Sequence, residues 1–224
     1  MTDYRHECKH ILSAADLPGL RRRLQAVAQP DRHGTNGRYL VRSLYFDTPG
    51  DRALWEKLDG AARREKFRIR YYDLDPALIH LEKKCKWNSL GWKESVPLAA
   101  EQVQELLDGH LEWMARSPMP LVGELYREMR GRLLRPRTIV DYTREAYVFG
   151  PGNVRVTLDS GLRAGVGCAG FLRRDCATVP AGDVPAVLEV KWDAVLPEII
   201  RDTVQLEGRR TAAFSKYAAC RGYF

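Results

Sequence analysis

The 224-residue sequence lacks the features that mark several common protein classes. No apolar run comes close to the ~20 residues that a transmembrane helix needs, and no repeat, linker or low-complexity tract divides the chain. The five cysteines are odd in number and widely spaced, and the five histidines show no metal-ligand spacing. We therefore expect a cytoplasmic protein with reduced thiols, folded as a single domain over residues 1–224, without a membrane span of its own.

Positive charge is what the sequence has in excess. The formal net charge is +7 and the pI is near 9.2, while 45% of the residues are hydrophobic and 29% are charged. This composition predicts a packed core and an anionic partner. Charge alone does not separate nucleic acid, a membrane surface, a nucleotide and inorganic phosphate.

The most informative stretch is residues 62–97, which predicts a β-hairpin with one apolar and one cationic side. In its first strand Arg68 and Arg70 alternate with Phe67, Ile69 and Tyr71. Alternate side chains of a strand point to opposite faces, so the two arginines share a face. The second strand places its charges in the same way, at Glu82, Lys84 and Lys86.

Other predicted strands repeat this pattern of charges at alternate positions. For any single strand, a solvated face of an antiparallel sheet is the simpler interpretation. The apolar opposite faces need cover, however, and predicted helices with apolar stripes could supply it. A sheet closed into a barrel with helices outside would then have the charges in its interior. The charged sets are Arg5/Glu7/Lys9, Arg68/Arg70, Glu82/Lys84, Arg144 with Tyr142, Arg155/Asp159 and Glu189/Lys191.

A strongly positive interior of this kind is destabilised by repulsion unless anions occupy it. A polyanion whose phosphates are bound by guanidinium and ammonium groups would satisfy it. The glutamates suggest a second role, since Mg²⁺ and Mn²⁺ prefer carboxylate and phosphate oxygens.

Seven ordered motifs, spread from residue 5 to residue 217, resemble those of one known family. The chain is similar to the polyphosphate-polymerase domain of the vacuolar transporter chaperone (VTC) proteins, in its short bacterial form. That family belongs to the triphosphate tunnel metalloenzymes, which are related to the CYTH adenylate cyclases and the thiamine triphosphatases. The motifs are RHECK (5–9), FRIRYY (67–72), LEKK (81–84), YTREAY (142–147), VRVTLD (154–159), VLEVKW (187–192) and FSKY (214–217).

The resemblance implies an α+β fold, an eight-stranded antiparallel β-barrel tunnel with helices packed outside. It also implies a divalent metal, Mn²⁺ or Mg²⁺, and transfer of the terminal phosphoryl group of ATP or another nucleoside triphosphate to a growing polyphosphate chain. The matching positions assign phosphate-binding, catalytic roles to Lys9, Arg68, Arg70, Lys84, Arg144, Arg155 and Lys216. They assign metal binding to Glu189 and leave Glu7, Glu82 and Lys191 as further tunnel-lining candidates for cofactor binding.

The sequence departs from the family pattern at two places. The wider superfamily opens with Glu-x-Glu-x-Lys, whereas Arg5 stands here at the position of the first glutamate, which disfavours a two-metal site. The family polymerase carries Lys-Phe-Ser-Lys near its C-terminus, whereas Ala213 stands here at the first lysine. Arg209 or Arg210 is a candidate replacement for that lysine.

Two alternatives to a polymerase stay open. The first is a tripolyphosphatase or nucleoside triphosphatase of the same fold, and the second is a noncatalytic module that binds polyphosphate or nucleotide. Nucleic-acid binding is disfavoured, because the arginines recur on strand faces rather than among exposed aromatic residues. A membrane role would require a separate membrane-protein partner.

Overall fold

The computed structural model describes residues 5–88, 90–206, 208 and 211–222. The strands are β1 (His6–Leu12), β2 (Gln29–Pro30), β3 (Arg38–Asp47), β4 (Arg63–Tyr72), β5 (Asp75–Trp87), β6 (Leu90–Leu98), β7 (Arg135–Phe149), β8 (Val154–Gly165), β9 (Thr178–Pro180) and β10 (Ala186–Trp192). The helices are α1 (Asp16–Val27), α2 (Arg52–Leu58), α3 (Ala100–Leu107), α4 (Glu112–Ala115), α5 (Pro120–Gly131), α6 (Glu198–Val204) and α7 (Lys216–Arg221).

The strands form one antiparallel sheet. Its main path runs β1-β10-β8-β7-β3-β4-β5-β6, with β2 paired to β7 and β9 paired to β8. The hairpin between β4 and β5 turns at Asp73 and Leu74, whose φ angles are 51° and 55°. Two consecutive positive φ values suit a tight turn between twisted antiparallel strands. The α+β class, the eight strands of the main path and the outer helices agree with the sequence prediction.

The sheet is not closed by backbone hydrogen bonds, so the prediction of a fully closed barrel is wrong in this respect. Within the described ranges no ladder joins β1 to β6, the two ends of the path. The outer edge of β1 pairs instead with residues 211–212. The amide of Ala212 donates to the carbonyl of Lys9 at 2.8 Å, and Thr211 bridges His10. Because these backbone groups already have partners, that part of the β1 edge offers β6 no ladder to join.

Helices cover the outer face of the sheet with two apolar clusters. Over β3, β4 and β5, helices α3, α4 and α5 pack on fully buried residues such as Leu44, Ile69 and Leu81. Over β1, β7, β8 and β10, helices α1 and α6 pack through residues such as Leu20 and Ile200. Burial of these side chains is the main favourable term that holds the curved sheet. The opposite face of each strand, which the helices do not cover, forms an interior.

Two local contacts shape element ends. The end of β8 pairs with the short strand β9, and Arg163 of β8 donates to the hydroxyl and carbonyl of Thr178. Helix α1 begins at Asp16, and Ser13 lies before it. The Ser13 amide and hydroxyl both donate to the Asp16 carboxylate, at 2.7 and 2.8 Å.

In the ranges described, no helix has the length and apolar character needed to cross a membrane.

Candidate functional site

Strand register gathers the predicted charged residues on the inner face of the sheet. Arg68 lies opposite Glu82 in the β4–β5 pair, and Lys9 lies opposite Glu189 in the β1–β10 pair. Directly opposed residues of an antiparallel pair point to the same side of the sheet. The alternating charges seen in the sequence therefore line one continuous interior, which we call the tunnel.

Two carboxylates and three lysines meet where β1, β10 and β5 approach one another. The Lys9 ammonium lies 2.7 Å from Glu7 and 3.8 Å from Glu189. The Lys191 ammonium lies 2.6 Å from Glu189 and 3.8 Å from Glu7. Lys84 crosses from β5 to Glu7 at 3.3 Å. Each of the two glutamates is therefore shared between cations.

These contacts keep both carboxylates ionised. Burial and the neighbouring Glu189 raise the pKa of Glu7, but Lys84, Lys9 and Lys191 outweigh them and lower it to about 2. The pKa of Glu189 is well below its usual value, because Lys191 and Lys9 outweigh the effect of burial. Two like charges at one place tolerate each other only with such cations beside them.

Arg68 is held on both sides by fixed partners. Its guanidinium lies 2.6 Å from Glu82 and donates to the Tyr45 hydroxyl at 3.0 Å. Glu82 also pairs with Lys93 of β6 at 2.7 Å. The Tyr45 ring stacks on Tyr217 of α7, with the ring centres 5.3 Å apart. The arginine is therefore preorganised, and some of its five N–H groups remain for another acceptor.

Arg70 differs from Arg68 in having no carboxylate partner within the described ranges. Its Nε donates to the Ser43 hydroxyl at 2.8 Å and its Nη2 to the Tyr142 hydroxyl at 3.2 Å. The residue is only 6% exposed. Arg70 therefore forms no ion pair of its own among the described residues, although the Glu82 carboxylate, which pairs with Arg68, is near enough to interact with it.

On the opposite wall, Asp159 organises two of the predicted cations. Arg144 of β7 donates to it through two N–H groups, at 2.7 and 2.8 Å. Lys216, at the start of α7, lies 2.6 Å from the same carboxylate and 4.7 Å from the centre of the Tyr142 ring. The Asp159 side chain is fully buried, and the two cations lower its pKa against the opposing effect of burial. These contacts fix α7 against the tunnel wall.

Arg155 lies farther along the tunnel, with other partners. The sequence groups it with Asp159, but its guanidinium pairs with Asp31 at 2.6 Å and donates to the Tyr39 hydroxyl at 2.8 Å. About a third of its side chain, 35%, is exposed to water. Arg155 is therefore the most accessible arginine among those predicted to bind phosphate.

Both departures from the family pattern lie in the described part of the chain. Arg5 pairs with Asp193 at 3.0 Å and donates to the backbone of Asn153, so it binds an acid instead of supplying one. Ala213 lies between the segment paired to β1 and helix α7. The two candidate replacements for its lysine, Arg209 and Arg210, lie outside the described residues.

The sequence prediction missed three residues of the interior. Lys66 of β4 lies two positions before Arg68 and opposite Lys84 of β5. Lys93 lies opposite Lys84 on the other neighbouring strand, β6. The i, i+2 spacing from Arg68 was a sufficient signal for Lys66. Tyr45 had no such signal, because a tyrosine at a strand position usually packs in a core.

Two carboxylates, Glu7 and Glu189, are available to a metal ion. The described residues contain no group of three or more histidine, cysteine, aspartate or glutamate side chains placed to hold one. A hard divalent cation bound by two carboxylates needs further oxygen ligands, and substrate phosphates commonly supply them. The donor set therefore fits Mg²⁺ or Mn²⁺ together with a phosphate ligand.

The tunnel as a whole is an anion-binding interior whose charges are partly compensated. The sequence predicts an interior that anions must fill, and the structure shows that its own acids already neutralise part of it. The remaining cations outnumber these acids and are held by neighbouring side chains. The acids are Glu7, Asp31, Glu82, Asp159 and Glu189, and the cations are Lys9, Lys66, Arg68, Arg70, Lys84, Lys93, Arg144, Arg155, Lys191 and Lys216.

Comparison with known proteins agrees with this fold. A family model described as the VTC domain matches residues 4–224. No curated protein sequence matches at a significant level. Among solved structures, the chain is similar to HpAC1 from Hippeastrum, a proposed adenylyl cyclase described as having a dominant triphosphatase activity. The TM-score is 0.55 at 14% identity, over 99% of this chain and 96% of that one.

Two archaeal structures are similar to a comparable degree. PH1819 from Pyrococcus horikoshii OT3 has a TM-score of 0.52 at 13% identity, over 96% of this chain and 97% of that one. PH1012 from the same organism has a TM-score of 0.53 at 12% identity, over 96% and 98%. At these identities the likeness establishes the fold.

Proposed function

The chain belongs to the VTC-domain family, and from this premise we propose that its tunnel binds the triphosphate of ATP or a similar nucleotide and transfers the terminal phosphoryl group to polyphosphate. Arg70 is the observation that carries the proposal. It is buried, it contacts two neutral hydroxyls, and no described carboxylate pairs with it. A buried cation without an ion pair of its own costs folding free energy, and an anionic ligand would offset that cost.

The proposed roles of the other cations follow from how firmly each is held. Phosphoryl transfer requires alignment of the reacting groups and neutralisation of the charge on the phosphate oxygens. Arg68 and Arg144 have carboxylate anchors, Glu82 and Asp159, that fix their orientation before a ligand binds. Guanidinium groups held in this way favour bidentate contacts with phosphate.

The lysines complete the proposed phosphate contacts. Water reaches 43% of the Lys84 side chain, and yet protein atoms lie all around its ammonium. A residue that faces an open channel should combine these two features. Lys84 and Lys216 each contact one carboxylate and Lys9 contacts two, and all three have further N–H donors. A phosphate chain that enters the tunnel would take up these donors without breaking the existing ion pairs.

Glu189 and Glu7 would hold the divalent cation in this proposal. When bound, Mn²⁺ or Mg²⁺ would supply neutralisation of charge on the phosphate oxygens. The protein's part is to keep both carboxylates ionised, through Lys191, Lys9 and Lys84. Arg5 cannot join them as a ligand, because its side chain is cationic.

Hydrolysis of a triphosphate is the second candidate function, with water in place of the polyphosphate acceptor. It is supported by the triphosphatase activity described for HpAC1, whose fold this chain shares, and by Ala213 at the position of the family lysine. A noncatalytic binding module is the third candidate. The three functions differ in their products. A polymerase forms long polyphosphate, a hydrolase releases orthophosphate, and a binding module forms no product.

The test is to incubate the purified chain with ATP and Mn²⁺ and to separate the products by chain length. Polyphosphate supports the polymerase, and orthophosphate alone supports the hydrolase. Glu189→Gln should abolish turnover while phosphate binding persists. Glu198→Gln, an exposed residue of α6, is the matched control and should leave turnover unchanged. If the unaltered chain binds nucleotide but forms no product, catalysis is excluded in favour of binding.

A further inference from the structure

Thr157 of β8 is a buried, uncharged polar residue on the tunnel face. It lies between Arg155 and Asp159 at alternate positions of the strand, so the three side chains point to the same side. Thr157 is 4% exposed, and its hydroxyl has no hydrogen-bond partner in the described part of the chain. Because nearly all buried hydroxyls in proteins are hydrogen-bonded, an unpaired one suggests that a ligand makes the missing bond.

The cross-strand neighbours of Thr157 explain why its hydroxyl is unpaired. Ala146 of β7 lies opposite on one side and Glu189 of β10 on the other. The alanine side chain has no polar atom. The Glu189 carboxylate is paired with Lys191 at 2.6 Å and with Lys9 at 3.8 Å. Thr157 therefore lies beside the proposed metal-binding carboxylate without a hydrogen bond to it.

A second unpaired donor lies on the same strand face. Arg155 contacts Asp31 and Tyr39 through its Nη2 atom, whereas its Nε atom is buried and has no partner among the described residues. Arg155 and Thr157 are two positions apart, which corresponds to about 7 Å along a strand. The Nε–H group can only donate, and the hydroxyl can donate as well. Two such donors suit the oxygens of an anion, while the guanidinium would repel a cation.

We propose that Thr157 is a phosphate-binding residue of the tunnel, whose hydroxyl donates to a phosphate oxygen beside Glu189. This inference rests on the proposed function of the tunnel. The Nε–H group of Arg155 would bind a second oxygen of the same phosphate chain. A hydroxyl adds a directional hydrogen bond to a charged oxygen without adding charge of its own. Thr157 would thereby orient the phosphate group that faces Glu189.

Thr157→Val tests this contact, because valine keeps the branched side chain and lacks the hydroxyl. Calorimetry with tripolyphosphate, with and without Mn²⁺, measures the affinity, which should fall by about tenfold in both conditions because a hydrogen bond to a charged group is lost. The ligand-free variant should melt at the same temperature or higher, since it loses a buried group that forms no hydrogen bond. Thr157→Ser retains a hydroxyl and should restore most of the affinity.

Thr203→Val is the matched control. Thr203 is a buried threonine of α6, outside the tunnel, and its hydroxyl donates to the Ile199 carbonyl at 2.6 Å. The same substitution at this position should leave the affinity for tripolyphosphate unchanged.

The inference is overturned if Thr157→Val binds tripolyphosphate as tightly as the unaltered chain, which is the result expected if water alone satisfies the hydroxyl. A loss of affinity only in the presence of Mn²⁺ would also overturn it, because the hydroxyl would then act on the metal rather than on phosphate. An equal loss in Thr157→Ser would overturn it by showing that the methyl group is what matters. Failure of the unaltered chain to bind tripolyphosphate would instead contradict the proposed function of the tunnel, and this inference with it.

Discussion

The ammonium of Lys84 lies 3.3 Å from the carboxylate of Glu7, and this ion pair connects β5 to β1 across a gap that no backbone ladder of the described residues closes. Both residues lie on the tunnel face. The pair therefore serves two purposes in our interpretation, since it spans the open wall and presents a lysine to the interior.

Lys84→Ala should separate these two purposes. Because 43% of the lysine side chain is exposed, we expect the lost ion pair to cost at most about 1 kcal/mol of unfolding free energy. Loss of a charge-assisted contact with phosphate should weaken tripolyphosphate binding by about tenfold. Denaturant unfolding and calorimetry measure the two quantities, and a large loss of stability with unchanged affinity would show that the residue is only structural.

Arg70→Met should weaken phosphate binding strongly without loss of stability. The substitution removes a buried cation that forms no ion pair within the described residues, so the melting temperature should stay the same or rise. Affinity for tripolyphosphate should fall by tenfold or more. Arg70→Lys keeps the charge but loses the planar fork, and it should give an intermediate affinity. Marked destabilisation of Arg70→Met with normal affinity would identify Arg70 as a core residue.

Tyr45 should make phosphate affinity depend on pH. Burial raises the pKa of its phenol, but Arg68, Arg70 and Lys66 of β4 outweigh this and lower the pKa to about 7. Lys9 of β1 also interacts with the phenol, and Tyr217 of α7 stacks on its ring. Below that pH the phenol is neutral, whereas above it a phenolate adds negative charge beside the arginines. Affinity should therefore decrease as the pH rises through 7.

Tyr45→Phe removes the ionisable phenol and with it this decrease in affinity. Tripolyphosphate titrations between pH 6 and pH 9 are the measurement. Lys66, whose pKa is lowered to about 8 by burial and by Arg64 and Lys57 against the opposing effect of Tyr45, loses its own charge over part of this range. The difference between the variant and the unaltered chain is therefore the quantity to compare. Identical pH profiles for the two proteins would contradict the role given to Tyr45.

Acid should unfold the protein through its tunnel carboxylates. The pKa of Glu7 is lowered from 4.5 to about 2 in the folded state, where Lys84, Lys9 and Lys191 outweigh burial and Glu189. A carboxylate with a depressed pKa stabilises the fold above its unfolded-state pKa, and this contribution is lost as the pH falls. The unfolding free energy should decrease between pH 4.5 and pH 2. In Glu7→Gln that decrease should be smaller, as denaturant titrations at each pH would show.

The tunnel face could be predicted from the sequence because the period of a strand is fixed by its backbone. Arg68 and Arg70 had to share a face, and Ile69 had to point the other way. The grouping of separate strands into one interior came from the repeated charge pattern and from the family motifs, and the register of β1, β4, β5 and β10 agrees with it.

The rest depends on contacts between parts of the chain that are far apart in sequence. The pairing of residues 211–212 with the edge of β1, which leaves the wall open, has no local signal. The pairing of Arg155 with Asp31 spans 124 positions and replaces the expected grouping with Asp159. The low pKa of Tyr45 arises from cations of β4 that meet it only in the folded sheet.

A crystal structure with a non-hydrolysable ATP analogue and Mn²⁺ tests the central claim most directly. We predict phosphate oxygens inside the tunnel within hydrogen-bonding distance of Arg70 and Arg68, with the metal between phosphate and Glu189. An analogue bound only outside the tunnel, with Arg70 still contacting Ser43 and Tyr142 alone, would contradict the assignment of the tunnel as a phosphate site.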